Sequence, residues 1–184
     1  MNNYKKKYLI FVGFFVLFSF VSTAFLFAQK QWKVQTSTVS FKIKNGFTVD
    51  GKFGTVEANI VFDAANFEQG SISASIDAKT IDTGIESRDT HLRKEDYFDV
   101  TKYPKISIKS KKITKLANGT YAGLFDLTLK GVSKEVKIIF SYVENNNNAT
   151  FEGGFTINRL DYGVGTSSWI MSDNCTIKIT INVK

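Results

Sequence analysis

The feature that most constrains this chain is an apolar–polar alternation of period two that recurs from Val39 to Val183. Val39, Phe41 and Ile43 alternate with Ser40, Lys42 and Lys44, and Val56, Ala58, Ile60 and Phe62 alternate with Thr55, Glu57, Asn59 and Val61. The same rhythm returns in Ile72–Ala78, Ile106–Lys109, Phe125–Lys130, Val136–Tyr142, Phe151–Ile157 and Cys175–Val183. Successive side chains of a strand point to opposite faces, so each run has one apolar and one polar side. Turn signals separate the runs at Asn45-Gly46, Gln69-Gly70, Asn118-Gly119, Lys130-Gly131 and Asn145–Asn148. About eight such strands make an antiparallel sheet that must close on itself or pair with another sheet to bury its apolar face. The expected fold is all-β, an extended antiparallel eight-stranded barrel. Eight strands leave an interior that side chains can fill or that can hold one small ligand.

One segment breaks the rhythm. Residues 82–102 are densely charged and have no strand period. Ser87 is placed to cap one short helix with Asp89 in its first turn, which turns Leu92 and Tyr97 or Phe98 inward. Pro104 marks the return to extended chain. An ordered connection this long inside a barrel is either a lid or a plug for one end.

The N-terminus reads as a targeting segment rather than part of the fold. Lys5, Lys6 and Lys7 precede Tyr8–Phe27, which carries no charge. This is the form of a secretory signal peptide over residues 1–28, with cleavage after Ala24 or Ala28. The run is also long enough for a retained anchor. No Cys lies near either cut, which excludes a lipid-modified cysteine anchor. The folded domain is then 29–184, in a protein exported to the periplasm or beyond. Loss of three lysines leaves 21 basic against 17 acidic side chains, a mild excess spread over strand faces, and no nucleic-acid surface is expected.

Composition narrows the chemistry. One Cys (Cys175) and one His (His91) exclude an intrachain disulfide and a Cys/His zinc cluster. No serine sits in a nucleophile elbow and no glycine loop is built to cradle phosphate. No catalytic residue, metal or cofactor is expected, and Cys175, on the apolar register of the last run, reads as an inert buried thiol. The inward aromatic candidates for a ligand lining are Phe41, Phe53, Phe62 and Phe125 in the first half and Phe140, Tyr142, Phe151 and Phe155 in the second. Gly123 and Gly153 occupy inward positions where they would leave room. The three arginines, Arg88, Arg93 and Arg159, stand against 21 lysines, and all three lie in connecting segments rather than on exposed strand faces. Guanidinium forks there could hold an anionic head group or serve in ion pairs with Asp89 and Asp161.

Taken in order, the motifs resemble the YceI-like family of exported bacterial proteins linked to polyisoprenoid and other lipid binding. The pieces are Trp32-Lys33-Val34 with Val39–Ile43, the Gly51–Gly54 turn, Ile81–Gly84 through Arg88–Arg93, Asp96–Val100, Lys102–Pro104, Leu127–Val132 and Asn158–Gly163. They cover Trp32 to Lys184. The resemblance implies a lipocalin-like barrel around an apolar tunnel, carrying an isoprenoid chain with its polar head toward the mouth. Arg88, His91, Arg93 and Arg159 fall within the family's motifs and are the head-group candidates. One departure is Asn45, where many members have His. The partners that follow are a polyisoprenoid, isoprenoid quinone or similar apolar lipid, with transient membrane contact and a homodimer both compatible. Two other readings stand beside it: a filled-barrel structural or interaction protein of the envelope, and an enzyme of lipid intermediates with His91 as its acid or base.

Overall fold

The structure, a computed structural model, describes residues 29–184. The signal segment expected over 1–28 lies outside the described residues. Ten strands form one antiparallel sheet: β1 Gln31–Trp32, β2 Val34–Asn45, β3 Phe47–Phe53, β4 Glu57–Val61, β5 Ser71–Asp77, β6 Lys105–Lys115, β7 Tyr121–Leu129, β8 Val132–Asn145, β9 Asn148–Asn158 and β10 Met171–Val183. Their order is β1-β4-β5-β6-β7-β8-β9-β10-β2-β3. From β4 to β10 each strand pairs with the next in sequence, as hairpins dictate.

The two ends of that order meet through the chain itself. β1 and β2 are separated only by Lys33, whose N–H and carbonyl exchange 2.9 Å bonds with Lys184. Gln31 and Trp32 pair with β4, while Val34 to Asn45 pairs with β10. The sheet therefore curls into a barrel that is stitched at the β1 end. Further along, β2 and β4 diverge, and β3 fills part of the opening. The eight expected strands are present, with two additions: the short β1, and β3 where a turn around Gly51–Gly54 was expected. The reason is local: Gly51 stands opposite Phe41, and a Cβ there would overlap the Phe41 ring, so only glycine lets strand and ring share that place.

The irregular segment closes the remaining gap. It leaves β5 and returns to β6 at one point, where the Ala78 N–H donates to the Pro104 carbonyl at 2.9 Å. Lys52 and Asp82 exchange backbone hydrogen bonds of 2.9 and 3.0 Å, tying β3 to the segment. Helix α1 spans Glu86–Leu92. Ser87 lies inside it rather than at its cap, which is Ile85 and has no side-chain bond. The start is held instead by Asp89, buried, which accepts from the Thr83 N–H at 3.0 Å and from the Thr83 hydroxyl. The Asn145–Asn148 run tightens to a two-residue hairpin, with Asn146 at φ 55°.

Candidate functional site

Inside the barrel the apolar side chains arrange themselves in two ways. Around the stitched end they meet across the axis. Phe62, fully buried, is the hub: its ring lies 5.2 Å from Tyr121, 4.9 Å from Tyr142 and 5.5 Å from Phe151, all edge-on. Phe140 stacks on Tyr121 at 5.4 Å, and the Trp32 indole N–H donates to the Phe62 carbonyl at 2.9 Å. The Tyr142 hydroxyl donates to Glu144, which also accepts from Lys30. Burial, then that bond, pushes the Tyr142 phenol up; the Lys30 and Tyr142 bonds pull the Glu144 carboxyl down.

Toward the other end the axis is empty. A cavity of about 300 Å³ lies among β2, β3, β5, β6, β7, β9 and β10. Its wall follows the strand register: Phe41, Ile177 and Phe155 stand in one row across three strands, and Ile43, Cys175 and Ile157 in the next. Ile106, Ile108 and Leu127 face them from β6 and β7. The irregular segment supplies Leu92, as expected, and both Tyr97 and Phe98, where one or the other was expected. Val39, Val56, Ile76 and Ile181 line the cavity and also belong to the packed core, so they form its floor.

Of the eight aromatic candidates, Phe41, Phe53 and Phe155 line the cavity. Phe62, Phe125, Phe140, Tyr142 and Phe151 belong to the packed core and do not. Rings are long enough to reach the barrel axis, so where five of them converge they consume the lumen. Gly123 and Gly153 leave no room either. A Cβ at Gly123 would collide with the Phe125 ring, and one at Gly153 would lie 2.9 Å from the Phe140 Cβ. The aliphatic wall, Ile43, Ile106, Ile108, Leu127, Ile157 and Ile177, carries the same inward register in the sequence as the rings do.

Cys175 faces the cavity, and burial pushes its thiol up to about 11. A thiol so desolvated is a poor nucleophile at neutral pH.

Three of the four cationic candidates, Arg88, His91 and Arg159, border the cavity, but most of their hydrogen bonds are spent inside the protein. Arg159, 4% exposed, donates to the carbonyls of Ser172, Val164 and Thr166 at 3.0, 2.8 and 2.8 Å and to Asp173 at 3.1 Å. It lines the cavity while it clamps the loop before β10. Arg93 donates to the Lys79 and Ile81 carbonyls and to Glu86, and does not line the cavity. Arg88 donates through Nε and Nη2 to the Thr83 hydroxyl and carbonyl at 2.7 and 2.8 Å. His91, exposed, shares a 2.7 Å hydrogen bond with Asp96 that holds the Asp96 carboxyl below its usual range. Arg88 and His91 both border the cavity, as does Asn45. These three are the polar groups best placed to meet a head group. Among the described residues no three of His, Cys, Asp and Glu converge as metal ligands would.

Comparison with known proteins agrees with this geometry. The model of the YceI-like domain matches residues 31–183. A UPF0312 protein of Vibrio cholerae is 26% identical over 180 residues, covering 90% of this chain and 94% of the relative. The crystal structure of BcnA from Burkholderia cenocepacia superposes with a TM-score of 0.79 at 28% identity, over 83% of this chain and all of that one. A polyisoprenoid-binding domain from Saccharophagus degradans superposes with a TM-score of 0.64 over 84% of this chain and 97% of that one; at 13% identity that likeness is one of fold.

Proposed function

This chain belongs to the YceI-like family, and on that premise we propose that it is an exported protein that holds an apolar lipid in the barrel cavity for shielding, storage or transport. The observation that carries the reading is the vacant apolar half of the barrel. It is lined mainly by Ile, Leu, Val and Phe side chains, with Arg88, His91 and Asn45 among its polar lining. A polyisoprenoid or isoprenoid quinone suits that division of surface, the tail against the wall and the head toward those polar groups. The name of the Saccharophagus degradans neighbour supports the same class of ligand.

The driving force is desolvation, about 25 cal/mol per Å² of apolar surface removed from water. The reading invokes no chemical step. A volume of about 300 Å³ is at the lower end of the roughly 300–1,000 Å³ of ligand pockets. It takes a short tail whole or a segment of a long one, with the remainder leaving by the mouth. The aromatic hub around Phe62 stops deeper entry.

The test is extraction. Protein purified from the cells that make it is denatured in organic solvent and the extract is read by mass spectrometry. Carriage expects a stoichiometric isoprenoid species. Empty extracts, together with no uptake of a short-chain isoprenoid quinone added in excess, would refute it. The packed half gives the structural-protein reading a footing, and that pair of results would favour it.

A further inference from the structure

The inner face of the sheet does not stop at the cavity. Along β3, Gly51, Val49 and Phe47 stand opposite Phe41, Ile43 and Asn45 in turn, all on one face. Asn45 stands opposite Met171. Val49, Asn45 and Met171 line the cavity; Phe47, one inward position further, is 66% exposed. The Ile170 carbonyl accepts the Gly46 N–H at 3.2 Å, which brings the loop before β10 against the β2–β3 turn. Ile170 is exposed, and Trp169 is 95% exposed, so its indole contributes almost nothing to the core. Phe47, Trp169 and Ile170 thus form an apolar lip that continues the cavity wall to the outside.

Three further observations say what covers the lip. Neither tip carries charge: residues 45–49 and 164–172 contain no Asp, Glu, Lys or Arg. An exposed lysine, Lys44, flanks it on the outer face of β2; Lys42, one outward position back, is paired with Asp50 at 2.5 Å. The loop is pinned at its base, since the Arg159 guanidinium holds the Val164, Thr166 and Ser172 carbonyls. A pinned, uncharged tip of Trp, Phe and Ile with Lys44 beside it matches the interfacial zone of a bilayer, where aromatic rings sit at head-group depth and lysines reach the phosphates. Three side chains are too few for a stable protein interface.

We propose that this lip docks the protein on a lipid bilayer, so that a tail passes between the bilayer and the cavity without crossing water. The inference rests on the lipid-binding reading and locates the route by which that site is filled.

The experiment uses the full chain with vesicles of phosphatidylethanolamine and phosphatidylglycerol whose acyl chains carry bromine, a short-range quencher of indole emission. Only Trp169 and the buried Trp32 emit. Docking expects Trp169 emission to shift to the blue and to be quenched, with neither change in Trp169→Phe. The variant Phe47→Ser/Trp169→Ser/Ile170→Ser takes up an isoprenoid quinone from vesicles about tenfold more slowly or worse, a loss of some 1.4 kcal/mol in activation terms. It loads at the wild-type rate when the quinone is added from ethanol. Water-like, unquenched Trp169 emission on vesicles that hold the protein would overturn the proposal. So would a blue shift that grows with protein concentration in the absence of vesicles, which would make a second copy of the chain the occupant. If no quinone loads by either route while Trp169 is quenched, docking stands and carriage falls.

Discussion

The two halves of this barrel are built from the same alternating strands and end up physically different. Near β1 the inward positions hold Trp32, Phe62, Tyr121, Phe140, Tyr142 and Phe151, and the rings meet at 4.9–6.3 Å. Near the mouth the inward positions are mostly Ile, Leu and Val, and a space of about 300 Å³ remains. The difference is in how the rings meet. Near β1 they converge across the axis, whereas Phe41, Phe53 and Phe98 pack on one another at 5.7 and 5.9 Å beside the cavity and leave space within it. Which inward positions carry rings that meet across the axis therefore decides whether a stretch of this fold is filled or hollow, and one molecule contains both outcomes.

The comparison breaks if the two halves respond alike to truncation. Phe62→Ala removes the hub of a close-packed cluster and should cost about 3–5 kcal/mol in urea unfolding. Ile43→Ala, at a half-buried position facing empty space, should cost about 1 kcal/mol, because fewer contacts are lost. Equal costs would mean that the cavity wall is packed after all.

Filling should show the reverse asymmetry. Ile177→Trp projects an indole into the void and is expected to reduce uptake of an isoprenoid quinone tenfold or more, about 1.4 kcal/mol, with the unfolding midpoint preserved. Retained uptake would place the ligand elsewhere. A smaller effect is expected from Gly51→Ala. The new methyl displaces the Phe41 ring, which already lines the cavity, and titration should read a severalfold weaker affinity. Unchanged affinity would show that Phe41 has another place to go.

The least effect concerns Cys175. Its thiol keeps its proton in the fold up to about 11, against 9.0 ordinarily, because of burial. The unfolded chain loses that proton first, so the contribution to stability is complete below pH 9 and declines as pH rises from 9 to 11. Cys175→Ala should flatten that alkaline decline. Alkylation of Cys175 near pH 10 should be slowed by bound lipid; alkylation indifferent to lipid would separate the ligand from this wall.

Much of this was legible in the residues. The alternation marked eight of the ten strands, all but β1 and β3, and the charged segment at 82–102 announced the helix and the inward Leu92, with Tyr97 or Phe98. What could not be read was depth along the barrel axis. Phe41 and Phe151 look the same in sequence, since both are inward aromatic residues on β strands; only the stagger of the strands puts one beside the void and the other in the plug. β3 was missed because Gly51 reads as a turn residue until Phe41 is seen lying across it. The arginines were legible as special and ambiguous as to role. Arg159 is committed to loop carbonyls, a use that no local pattern distinguishes from ligand binding.

The central claim is that the hollow half holds a lipid. Native mass spectrometry of the wild-type protein beside Ile177→Trp tests it most directly. The account expects wild type to carry one apolar adduct per chain, released on collisional activation, and the filled variant to appear at its bare mass. Wild-type protein that stays bare after incubation with an excess of isoprenoid quinone, or an adduct that persists undiminished in Ile177→Trp, would contradict it.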